Sequence, residues 1–390
     1  MNNLRLLHEK NFDKSRKYKP RFTIEDRNGM AIDVDVNYMS SIELTNLVSD
    51  MHTYKVCRSF LNRKKLYINI PRFSPADKLV YIILEYIISG FIIDYDIEVD
   101  FRINSFSANM NTHGFRYSVL SLMAKEDINK EIIKKKVYFD INDSHYRRIA
   151  QNSGDIMISS NILSEIKTFF RRYDMPEDFK SKCATIVSEL VDNALEHGHA
   201  DCLVDIDVTD SIYRYKKEAE DYKDGDFWGI NIVVANFSER LLGDDLKDKI
   251  KNHKYKNSQR YDDVNLAYNN HSKCFSKKYM EDDFFNITAF QESITGRTGE
   301  INSGGTGLTE LIKSLQEYAD DDYCYMMSGD KGILFKKEYL EFNDDNWLGF
   351  NDSKDYINCI PNKDVLFRSK FYFPGTGYNF MFAFKKDEES

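Results

Sequence analysis

Four oxygen-bearing side chains share one face of the segment SELVDNALEHG. At about 100° per residue, Glu189, Asp192, Asn193 and Glu196 fall within an arc of about 100°, while Leu190, Val191, Ala194 and Leu195 cover the other side. A carboxylate can take up a proton, and an amide oxygen beside it can ligate a hard cation such as Mg²⁺. Further along, Ser303-Gly304-Gly305-Thr306-Gly307-Leu308 runs directly into a helical pattern. Glycines let the backbone approach a ligand closely, and the free N–H groups of a first helical turn favour phosphate. Each element alone also reads as ordinary architecture, a solvated stripe in one case and a helix-starting turn in the other. Together they offer a phosphate cradle, an oxygen ligand for Mg²⁺ and a general base.

The flanking patterns predict the elements that hold these residues. Upstream, LYINIP (66–71) and DIEVDFRI (96–103) alternate like strands around a long apolar helix, with Ser74 as its N-cap and Pro75 at its first position. A short helix around 114–123 and a strand KKVYFDI ending at Ile141 follow. Downstream, Ile162, Ile166, Phe169 and Phe170 lie at helical spacing, and a longer helix runs from Pro176 to Gly198. LVDIDV (203–208) and the nearly continuous apolar WGINIVVANF (228–237) read as strands, separated by a charged insert over 209–226. Residues 238–302 read as a polar lid with short helices. YCYMMSGDKGILF reads as a hairpin turning at SGDKG, and YNFMFAF as a final strand after PGTG. The expectation is an α+β protein: a smaller α/β domain over 1–150, then a second domain over 151–390.

Composition limits the function classes. The 390-residue chain has net charge −9 at pH 7, which argues against a nucleic-acid partner, DNA processing included. Its six cysteines are scattered without a C-x-x-C pair, the pattern of reduced thiols in a cytoplasm rather than of zinc or disulfides. The start lacks the apolar stretch of a secretory signal. The longest apolar run, 79–93, contains Glu85 and is short for a membrane span. No membrane role is expected.

The segment Glu189-Leu-Val-Asp-Asn193-Ala-Leu-Glu-His197-Gly198 resembles the N box of the GHKL, or Bergerat-fold, ATPases, and SGGTGL resembles their second glycine box. The spelling N-A-L-E-H-G is closest to anti-sigma-factor serine kinases and histidine-kinase ATPase domains. The resemblance covers roughly 158–384. It implies a two-layer α/β sandwich, a mixed sheet with helices on one face, that holds ATP and Mg²⁺ under the lid. It implies that Asn193 coordinates Mg²⁺, that Glu189 polarises the attacking water or hydroxyl, and that Gly304, Gly305, Thr306, Gly307 and Leu308 hold the phosphates.

The chain departs from the family at the first glycine box. Where D-x-G-x-G follows the buried strand, it reads Asn236-Phe237-Ser238-Glu239-Arg240, so Asn236 takes the place of the adenine-reading Asp. An amide oxygen there can accept from the adenine 6-amino group, but its NH₂ must find another partner. Thr376 matches the threonine that supports the adenine site. His197 reads as a helix-end residue, and Lys273, Lys277, Lys278 and Arg297 as solvated lid charges.

The leading expectation is an ATPase or nucleotide switch acting on a protein partner. A serine/threonine kinase of the anti-sigma type is the close variant, and an interaction scaffold with a degenerate nucleotide site is the rival. The amino-terminal domain faintly resembles STAS-like domains, which implies partner binding or a homodimer.

Overall fold

The computed structural model describes residues 10–11, 22–25, 29–34, 38–61, 65–106, 118–125, 128–209, 227–255, 258–295, 307–318 and 324–386. Over them the protein is α+β, built of helices and mixed sheets. The alternating run LYINIP lies in strand β3 (Lys65–Phe73), which pairs in parallel with β2 (Gly29–Asp33) and with β4 (Glu98–Phe106). Strand β1 (Phe22–Ile24) adds antiparallel to β2, giving a four-stranded sheet in the order β1-β2-β3-β4. Parallel neighbours need a crossover, and the helices α1 (Ser41–Leu61) and α2 (Lys78–Asp94) supply it.

Helix α2 carries the long apolar run, and Ile82, Leu84, Ile87, Ile88 and Phe91 are buried in it. Among the described residues no helix is long and apolar enough to cross a membrane. Its N-cap is Asp77, whose side chain accepts from the Val80 N–H at 2.9 Å, not the expected Ser74. The reason is that the chain is still extended there: Pro75 bridges Met39, and the Ala76 N–H donates to the Met39 carbonyl.

A second departure concerns KKVYFDI. Its first four residues are the end of a helix, α4 (Lys130–Tyr138), which follows the short α3 (Val119–Met123). Asn129 caps α4, and Ile133 and Val137 bury at i, i+4 spacing, so the helical period overrides the strand propensity of Val-Tyr. Only β5 (Phe139–Ile141) is extended, antiparallel to β6 (His145–Ala150). Residues 107–117 and 210–226, which hold the start of the expected 114–123 helix and all but the first residue of the charged insert, lie outside the described residues.

The remaining strands are β7 (Cys202–Thr209), β8 (Phe227–Phe237), β9 (Tyr325–Leu334) and β10 (Leu366–Lys385), and the second sheet has the order β5-β6-β7-β8-β10-β9. The expected hairpin at SGDKG is instead the single strand β9. Its neighbour β10 is 20 residues long, with PGTG inside it.

The chain divides into two compact units: Met1–Ile149, Leu203–Val233 and Ser369–Pro374 form one, and Ala150–Cys202, Val234–Arg368 and Gly375–Ser390 the other. The second unit holds helices α5 (Ile158–Phe170), α6 (Glu177–Glu196), α7 (Asp244–Lys251), α8 (Gln259–Ser272), α9 (Glu281–Thr288) and α10 (Gly307–Tyr318). Segment 238–302 therefore contributes three helices, α7 to α9; its residues 256–257 and 296–302, Arg297 included, lie outside the described residues. In the same unit the Arg260 guanidinium stacks 3.4 Å from the centre of the Trp347 ring and donates to the carbonyls of Glu292, Asp345 and Asn346. Trp347 in turn stacks on Tyr356 at 5.0 Å.

Candidate functional site

Helix α6 begins after Pro176, with Glu177 and Asp178 in its first turn favouring the positive end of the dipole. Phe179, Cys183, Ile186, Val187, Leu190, Val191 and Ala194 bury one stripe. On the other face Glu189 and Glu196 are exposed and Asp192 and Asn193 half-buried, as the periodicity predicts.

Helix α10 runs antiparallel along α6. At one end the Tyr318 ring meets Phe179 at 5.3 Å and its hydroxyl lies 3.4 Å from Asp178, while Lys182 pairs with Glu317 at 3.2 Å. Both helices rise about 1.5 Å per residue. Following α10 back from Tyr318 to its first residues, Gly307 and Leu308, therefore reaches the level of Glu189 and Asn193 on α6. Gly304, Gly305 and Thr306, which precede Gly307, lie outside the described residues.

The end of α6 meets the end of β8. Asn236, 5% exposed, accepts through Oδ1 the backbone N–H of Thr376 at 2.9 Å. A Cβ at Gly198 would fall 2.1 Å from Asn236 Nδ2, so only glycine lets the helix end approach so closely. Gly375 has φ +101°, and a Cβ there would lie 2.3 Å from the Asn236 carbonyl oxygen. Ser328 Oγ donates to the Gly375 carbonyl at 2.8 Å, lies 3.4 Å from Thr376 Oγ1 and accepts the Leu242 N–H at 3.0 Å.

Ser238 and Arg240, which replace the glycines of the first box, have their own bonds. Ser238 Oγ donates to the Gly198 carbonyl at 2.5 Å and accepts the Arg240 N–H at 3.0 Å. His197 ends α6, its N–H donating to the Asn193 carbonyl at 2.9 Å, and its Nδ1 faces Asp245 at 2.9 Å, with Arg240 3.2 Å from the same carboxylate. The hydrogen bond from His197 holds the Asp245 carboxyl below its ordinary range against the opposing effect of burial.

Sequence reasoning missed a second constellation, in the other unit. Asp205 and Asp207 on β7, Lys78 and Glu85 on α2, and His145 and Arg147 on β6 are all buried. Lys78 pairs with Asp205 at 2.5 Å and with Asp207, to which Tyr81 also donates at 3.2 Å. Arg147 joins Asp205, at 2.5 Å, to Glu85, and His145 Nε2 lies 3.2 Å from Asp205. Burial alone would raise the Asp205 carboxyl, but Arg147 and Lys78 hold it well below its usual range. His145, Asp205 and Asp207 are close enough together to share a metal ion. Lys78 already neutralises both carboxylates there, so the group reads as an internal ion-pair network. The pattern D-I-D in an apolar strand was the signal available: one face of β7 is carboxylate, and a strand buried on both faces must find cations for it.

The structure thus anchors one end of α10 at Phe179 and Lys182 of α6, and bonds Asn236 to Thr376. Comparison with protein-family models, with curated proteins and with solved structures gave no match.

Proposed function

We propose that this chain is a magnesium-dependent nucleotide-binding protein of the GHKL type, an ATPase or nucleotide switch that acts on a protein partner in the cytoplasm. What supports the reading most is the antiparallel packing of α10 on α6. With Tyr318 on Phe179 and both helices rising about 1.5 Å per residue, the first turn of α10, suited to phosphate, falls at about the axial level of Glu189 and Asn193, a carboxylate and an amide oxygen. In this reading Asn193 Oδ1 holds Mg²⁺, the first turn of α10 and the glycines before it take the β- and γ-phosphates, and Asn236 with Thr376 meets the base. Held by Asn193, such an ion would supply electrostatic stabilisation of the charge that develops in phosphoryl transfer. Glu189 accepts the proton of the attacking water. Being exposed, the carboxylate can be reached by water, and it also leaves room for a partner's hydroxyl as nucleophile.

The deciding experiment is calorimetric titration of the full chain with non-hydrolysable purine triphosphate analogues, with and without Mg²⁺. Magnesium-dependent binding that Asn193→Ala abolishes, with the circular dichroism spectrum unchanged, supports the reading. Absence of binding at millimolar nucleotide overturns it and leaves the scaffold reading in its place.

A further inference from the structure

The buried network around Asp205 and Asp207 is not balanced by its lysine and arginine. It holds the carboxylates of Asp205, Asp207 and Glu85 against the cations Lys78 and Arg147, one negative charge too many. An uncompensated charge so deep is costly, so the interior must take up one more proton. Glu85 has no room for it, since one oxygen meets Arg147 and the other accepts the Val119 N–H at 2.8 Å. Asp205 is equally filled, by Lys78 on Oδ1 and by Arg147 and His145 on Oδ2. A proton on Asp207 Oδ1 would find no acceptor, because that atom has no hydrogen-bond partner among the described residues. His145, 2% exposed, is different: its Nε2 lies 3.2 Å from Asp205 and its Nδ1 3.4 Å from Asp140. A neutral imidazole has one N–H and would turn a bare lone pair on one of these carboxylates, whereas the imidazolium ion presents a donor to each.

We propose that His145 is the third cation of this network, an imidazolium held between Asp205 and Asp140, and that its proton latches the edge strand β5 to the sheet. Asp205 lies on β7 and Asp140 on β5, with His145 on β6 between them. The other charged or titratable groups of the network reach it from α2, as Lys78, Tyr81 and Glu85, from β6, as Arg147, and from β7, as Asp207. Lys136 of α4 meets Asp140 from the other side at 3.2 Å. Burial would raise the Asp140 carboxyl, but His145 and Lys136 hold it below its ordinary range. Asp140 is also the more exposed of the two carboxylates that His145 faces, 17% against 0%. Loss of the His145 proton therefore opens the outer link and not the inner one. The Asn142 N–H, which donates to the His145 carbonyl at 2.9 Å where β5 turns into β6, is the backbone bond that then frays.

The test is nitrogen-15 NMR of the full chain, labelled at histidine, at pH 7. The His145 signals are identified by their loss in His145→Gln or, should that variant not fold, by their displacement in Asp140→Ala. Both ring nitrogens are expected to be protonated, and Asp207→Asn, which removes the surplus carboxylate, should move the ring toward the neutral form. A bare His145 nitrogen at pH 7 overturns the inference and leaves the extra proton on Asp207. The latch is read separately, by hydrogen exchange at the Asn142 amide. Losing one charge-assisted hydrogen bond corresponds to about tenfold or more in a local opening equilibrium, so Asp140→Ala should speed that exchange by as much. Lys136→Met, which takes away only the outer partner of Asp140, should change it by less than about twofold. Unchanged exchange in Asp140→Ala, or an equal effect from Lys136→Met, overturns the latch.

Discussion

Asn193 and Glu189 differ in what their loss removes. An amide oxygen on Mg²⁺ contributes to binding, so Asn193→Ala is expected to abolish magnesium-dependent nucleotide binding while the protein stays folded, as calorimetry and circular dichroism would show together. A general base contributes to the chemical step, so Glu189→Gln should bind nucleotide normally and turn it over about 10²-fold or more slowly in a phosphate-release assay. Turnover at the wild-type rate would remove Glu189 from that role. Lys78 differs from both, because it touches no candidate ligand. It pairs with Asp205 and Asp207 in the interior, and Lys78→Met leaves Asp207 without its cation and Asp205 to Arg147 and His145. Urea unfolding of that variant should show a loss of about 3–5 kcal/mol. A loss below about 1 kcal/mol would mean that Arg147 and His145 suffice to hold Asp205.

At the scale of elements, two contacts decide whether the proposed site can form. The aromatic cluster of Phe179 with Tyr318, Phe382 and Phe384 fixes one end of α10 on α6 and thereby sets the level of its other end. Phe179→Ala should cost about 3–5 kcal/mol in stability, and in the proposed reading it also weakens nucleotide binding far from any ligand contact. Gly198→Ala, whose Cβ would fall 2.1 Å from Asn236 Nδ2 and 2.5 Å from the Ala194 carbonyl oxygen, should cost about 1–3 kcal/mol in thermal or urea unfolding.

Much at this scale was legible in the sequence. The i, i+3, i+4 stripe of α5 and the two faces of α6 follow from residue spacing, and the apolar run over 228–237 predicts both β8 and its end at Phe237. What was not legible depended on distant partners. Val137 and Tyr138 favour strands, yet they finish a helix because Ile133 lies one turn away on the same buried stripe. The chain between Ser74 and Ala76 stays extended because Met39 pairs with it, and nothing local announces Met39. Nothing in the local spacing of Lys78 and Arg147 marks them as interior, and only the packing of α2 and β6 against β7 makes them so.

For the whole molecule, the ion pairs predict how acid acts. Glu281 is opposed by burial but held at about 2 by Lys247, Lys251 and Tyr268, against an ordinary 4.5. Asp205 and Asp245 are likewise lowered. A carboxyl lower in the folded state than in the unfolded one adds stability that is complete above the unfolded value, and loses it as pH falls through the folded one. Stability should therefore hold from neutral pH down to about 5 and fall steeply between about 4.5 and 2, measured by thermal unfolding across that range. In Lys247→Met the loss on the acid side should be shallower, since Glu281 then gives up part of its shift. The two tryptophans of the chain fall one to each unit, Trp228 at the start of β8 and Trp347 between Arg260 and Tyr356. Trp347, 2% exposed and stacked against a cation, should emit at short wavelength with a reduced yield, whereas half-buried Trp228 emits further to the red. The protein thus contains its own optical label for each unit, and a Trp→Phe change at either position would let stopped-flow fluorescence follow the two separately when nucleotide is added.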